Sequence, residues 1–68
     1  MTTKPDFIKI IANQGQIMFK DAERVFNLYR KMKILKVNPS HGYEIKHGAY
    51  LESIVINNAV NYVNRVKL

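Results

Sequence analysis

The chain has no cysteine and no tryptophan, only two prolines and three glycines, and just five acidic residues against eleven lysines and arginines. Without cysteine it has neither a disulfide framework nor a zinc–thiolate site. That fits a reducing compartment, so a cytoplasmic location is expected. No apolar run approaches the roughly 18 residues needed to cross a bilayer. The segment Met1 to Asp6 lacks the apolar stretch and small-residue cleavage site of a secretion signal. No membrane partner is therefore expected. Scarce glycine and proline leave no linker, so the 68 residues read as one domain. It is expected to be either a compact viral or plasmid protein or the N-terminal domain of a longer one. A chain of this length buries only about 60% of its unfolded surface, and small domains without a staple often gain stability by associating.

The shortage of acid leaves a net charge of +6. On so small a body this excess makes a strong positive field, and nucleic acid is the commonest partner for one. Much of the charge is ordered. With Lys20 to Lys36 read as a helix at about 100° per residue, Ala22, Val25, Phe26, Leu28, Tyr29 and Met32 share one side. Lys20, Arg24, Asn27, Arg30 and Lys31 share the other, diluted only by Glu23. One helix can thus hold a core and press charge against a polyanion.

The spacing around it predicts further elements. A first helix is expected from Lys4 to Asn13, with Thr3 as cap, Pro5 in the first turn, and Phe7, Ile10 and Ile11 on one face. Gly15 is expected to end it in left-handed geometry. Gln16 to Phe19 reads as a brief strand or the lead into the next helix. The second helix should end near Lys33. Ile34 to Val37 and Tyr43 to His47 then form a hairpin about a polar loop, Asn38 to Gly42. A last helix is expected from Tyr50 to Val66, with Leu51, Val55, Ala59, Tyr62 and Val66 on one face and Ile56, Val60 and Val63 widening it. The fold class is α+β: three helices, a β-hairpin between the second and third, and a possible short strand after the first.

The order basic helix then hairpin, over Ala22 to Lys46, resembles the winged helix-turn-helix class of DNA-binding domains. The resemblance implies a winged-helix-like domain in which Ala22 to Lys33 is the recognition helix and the hairpin is the wing. The chain departs from that class in having one helix ahead of the recognition helix instead of two. Its link from Gly15 to Lys20 also looks longer than a tight helix-turn-helix turn.

Chemistry divides the labour if this helix enters a major groove. Lys20, Lys31 and Lys33 would neutralise phosphates. Arg24 and Arg30 could do so bidentately or pair with guanine, and Asn27 has the donor and acceptor spacing to read adenine. From the wing, Lys36, Lys46, Ser40 and His41 could touch backbone or minor groove. The expected function is binding of double-stranded DNA, as a small regulator or the origin-binding domain of a replication initiator. Ile56, Val60 and Val63, if uncovered, would form a homodimer interface, matching a two-fold DNA site. The rival reading is a protein-interaction module or small inhibitor that docks on an acidic host protein through its apolar last helix. Four asparagines between Asn57 and Asn64 are either a second polar contact surface or a solvated face.

An enzyme is not expected. His41 and His47 make an incomplete metal site even with Glu44 nearby. Glu44-Ile45-Lys46 matches a fragment of metal-dependent nuclease motifs but lacks the sheet and upstream acid such a site needs. Ser40 and His41 have no orienting acid. No glycine-rich loop cradles phosphates. No cofactor, metal or small-molecule substrate is implied.

Overall fold

The computed structural model describes residues 2–67. Helix α1 (Lys4–Gly15) opens at Thr3, whose hydroxyl accepts from the Asp6 N–H at 3.4 Å. Phe7, Ile8 and Ile11 point inward, while Ile10 is 38% exposed. The helix runs two residues past Asn13, and the left-handed residue that closes it is Gln16 (φ 53°), not Gly15. The Gln16 N–H reaches the Asn13 carbonyl at 3.4 Å and the Ile17 N–H that of Ala12 at 3.0 Å, a Schellman closure. Gly15 is needed for a different reason. A Cβ there would strike the Ile56 side chain of the last helix, so glycine lets two helices approach closely. Residues 16–18 form no strand, because they are occupied in closing one helix and starting the next.

Helix α2 (Phe19–Lys31) buries Ala22, Val25, Phe26, Leu28 and Tyr29, as its amphipathic pattern requires. It stops two residues before Lys33, which takes φ 60°. The Lys33 N–H bonds to the Arg30 carbonyl at 3.0 Å and the Ile34 N–H to that of Tyr29 at 3.2 Å. After this second Schellman closure Ile34 and Tyr29 are both buried in the one apolar core.

Strands β1 (Leu35–Asn38) and β2 (Gly42–Ile45) pair antiparallel, with Leu35 opposite Ile45 and Val37 opposite Tyr43. The Asn38 Oδ1 holds the turn by accepting from the N–H groups of Ser40 (2.8 Å) and His41 (3.3 Å). Thr2 then ties the hairpin to the start of α1. Its N–H donates to the His41 carbonyl at 2.8 Å, and its carbonyl accepts from the Tyr43 N–H at 2.9 Å, a parallel bridge to Gly42. Gly42 has φ +82°, and a Cβ on it would overlap the Thr2 backbone. Gly42→Ala is therefore expected to cost more than about 1 kcal/mol. In urea the unfolding midpoint should fall with an unchanged slope.

A 3-10 turn (Gly48–Leu51) follows, and α3 (Ser53–Val66) begins only after Glu52, whose extended backbone (ψ 143°) interrupts the helix expected from Tyr50. Helix α3 packs on both α1 and α2, which makes three helices around one core with the hairpin between the second and third. That position corrects the association surface expected on α3. Ile56 and Val63 are fully buried, and Val60 is half-buried against the core, so these three are interior contacts. An arc this broad is needed because one short helix fills a cleft between two others. The exposed apolar side chains of α3 are instead Ile54, Tyr62 and Val66.

The turn into α3 also sets a pH limit. The Tyr29 hydroxyl, 1% exposed as a residue, donates to the Tyr50 carbonyl at 2.9 Å, and the two rings meet edge to face at 5.5 Å. Burial, with the nearby Tyr50 phenol adding to it, pushes the Tyr29 hydroxyl from 10.0 up to about 12. Because the folded value lies above the unfolded one, its stabilising contribution is complete below pH 10 and is lost as pH rises through 12. Two units correspond to about 2–3 kcal/mol. Thermal melts from pH 9 to 12 should fall less steeply in Tyr29→Phe than in the parent.

Candidate nucleic-acid interface

Amphipathicity places the polar side of α2 outward. Lys20, Asn27 and Lys31 lie nearly in line, seven and then four residues apart, and all are exposed. Arg30 sits at one flank of that line, with Glu23 on the same flank about two turns earlier, both exposed. Asn27, Leu28, Arg30 and Lys31 together line a shallow recess on this face. Asp21 and Lys31 stand in the first and last turns, where the helix dipole favours their signs.

Arg24 does not belong with this group. Its guanidinium turns aside toward α3, donating to Asn64 Oδ1 at 2.5 Å and to the Val63 carbonyl at 2.9 Å. Asp21 lies 3.8 Å away. Half-buried and committed on several sides, Arg24 fastens the C-terminal end of α3 to α2 and corrects the expectation that it contacts DNA. Lys33 is exposed but lies beyond the helix in its left-handed closure, which takes it off the α2 stripe. Two of the α3 asparagines are likewise structural. Asn64 receives Arg24, and the Asn57 amide donates to the carbonyls of Gly15 (3.2 Å) and Ser53 (2.8 Å), joining α3 to the end of α1.

On the hairpin, Lys36, Ser40, His41 and Lys46 are all exposed. Ser40 and His41 occupy the turn that Asn38 organises. Lys36 faces Glu44 directly across the ladder, so an opposite charge shares its side of the sheet. The root of the hairpin lies against α2 through aromatic rings: Tyr43 is 5.2 Å from Phe26, one turn from Arg30.

Lys4 adds a cation to that edge, which the reading of one helix at a time missed. Its ammonium stands 5.6 Å from the Phe26 ring centre. The pattern of α2 alone could not reveal it, because Lys4 arrives from another helix.

Among the described residues no helix is long and apolar enough to cross a membrane. No protein-family model matches the chain, and no curated protein or solved structure matches it either.

Proposed function

We propose that the protein binds double-stranded DNA with the outward face of α2, assisted by the hairpin. The observation that carries this reading is the exposed line Lys20–Asn27–Lys31 with Arg30 at its flank, on a chain of net charge +6. Two features of the fold support it. The connection between α1 and α2 is only Gln16-Ile17-Met18, shorter than the sequence led us to expect and of the length a helix-turn-helix uses. The hairpin follows α2 at once, the order of a winged domain, and α3 supplies a third helix from the other end of the chain.

In this reading Lys20 and Lys31 neutralise phosphates, Arg30 contacts phosphate or guanine, and Asn27 is placed to read adenine. Lys36, Lys46, Ser40 and His41 touch the backbone beside the helix, with Lys33 at the junction. The domain acts as a small regulator or as the origin-reading part of a replication initiator, in the cytoplasm.

The test is anisotropy of a labelled duplex across a salt series. With on the order of five phosphate contacts, affinity should fall several-hundredfold between about 50 and 200 mM salt. A salt-independent affinity, or no binding at 50 mM, would overturn the proposal.

A further inference from the structure

One surface is left unused by that reading. Between the C-terminal half of α2 and the outer side of α3 lies an open apolar groove of about 430 Å³. Its walls are Leu28 on α2 and Met32 just past its end, Val55, Ala59 and Tyr62 on α3, and Tyr50 from the 3-10 turn. Tyr62 is 43% exposed and Met32 47%, and Val66, one turn beyond Tyr62, is 43% exposed. These are large apolar groups that the described residues leave exposed.

The shape selects the kind of occupant. Val55, Ala59, Tyr62 and Val66 are spaced four, three and four residues apart, the seam spacing with which a helix meets another helix. Ala59, buried at 8% exposure, is the small residue at the floor of this seam. From Val55 to Val66 the helix rises about 16 Å, or three turns. That length suits a partner helix with anchors at i, i+3 or i+4, and i+7.

Charge selects its sign. No charged side chain of either sign lines the groove, so the sign is set at its rim. Lys31 stands beside Leu28 at one rim, since Leu28 lines both this groove and the recess that Lys31 borders. Arg65 follows Asn58, which lines the groove, by seven residues and so occupies the same edge of α3. A second copy of the chain would bring +6 against +6 and set these cations facing their own kind.

We propose that the groove between α2 and α3 docks an amphipathic helix of a partner protein, with apolar anchors on one side and acidic residues flanking them. Lys31 then serves two surfaces, so the acidic flank of the partner competes with DNA for it, and the partner lowers DNA affinity.

The probe is a labelled synthetic helix with leucine and phenylalanine at i, i+4 and i+7 and glutamates beside them. Controls are the same apolar face with lysines for glutamates, and a scrambled acidic sequence. The acidic helix should bind at least tenfold tighter than either control and shift the NMR resonances of Leu28, Met32, Val55 and Tyr62. Tyr62→Asp, at an exposed position, should reduce peptide binding at least tenfold and leave duplex affinity within twofold. Met32→Gln, which adds no charge beside Lys31 and Lys33, serves the same purpose should Tyr62→Asp unfold. The idea is overturned by equal binding of the acidic and scrambled peptides, by shifts confined to Lys20, Asn27 and Arg30, or by sedimentation showing a homodimer that Tyr62→Asp dissociates. Because the duplex titration is run separately on the same proteins, failure of DNA binding leaves this result readable, and the converse holds too.

Discussion

Phe26→Ala is expected to remove a large part of the folding stability at 25 °C, or all of it. Phe26 is fully buried, and its ring is where three elements meet. Phe7 of α1 lies 6.1 Å from it, Tyr43 of β2 lies 5.2 Å from it, and the Lys4 ammonium stands 5.6 Å from its centre. Truncating a buried phenylalanine costs about 3–5 kcal/mol, because the cavity adds to the lost transfer energy. A domain this small holds roughly 3–10 kcal/mol in total, at 0.05–0.15 per residue. The loss therefore consumes a large part of the stability or all of it. Far-ultraviolet circular dichroism with a urea titration reads this directly. Phe26→Leu, which refills much of the volume, should remain folded with a lowered midpoint. A Phe26→Ala protein with a midpoint near that of the parent would mean that α1 and the hairpin are held to α2 by something other than this ring.

The parts of the fold that were legible are those set by local pattern. The apolar side of α2, the Thr3 cap and the Asn38 to Gly42 turn each depend on residues within one or two turns of each other, so spacing alone reveals them. What could not be read was set by a neighbouring element. Arg24 shares the polar side of α2 with Lys20 and Lys31, but its long side chain reaches α3 and takes the bonding offered there. Gly15 carries no sign in the sequence that Ile56 will press against it. The breadth of the α3 arc was visible, but its meaning depended on whether one helix or two would cover it. With both α1 and α2 against it, Ile56 and Val63 became interior. Lys20, Asn27, Arg30 and Lys31, by contrast, stay exposed on the polar side of α2.

The same distinction separates two groups of substitutions. Combining Lys20→Ala, Arg30→Ala and Lys31→Ala is expected to weaken duplex binding by roughly a hundredfold at low salt and to lower the salt slope by about 0.9 for each phosphate contact removed, about 2.7 with Arg30 on phosphate and about 1.8 with Arg30 on guanine. All three side chains are exposed, so the thermal midpoint should hardly move. Arg24→Ala should do the opposite. It removes a charged donor from Asn64 and from the Val63 carbonyl, and charge-assisted bonds of this kind contribute about 1.5–3 kcal/mol. The midpoint should fall, while the affinity and salt slope of the folded fraction stay with the parent. Anisotropy against salt and thermal melts on both proteins separate the two effects. If Arg24→Ala instead lost DNA affinity at full stability, the guanidinium would have to leave α3 to meet the duplex, and the cationic line on α2 would run unbroken from Lys20 to Lys31. If the triple variant kept its affinity while folded, the contact would lie on another face of the protein.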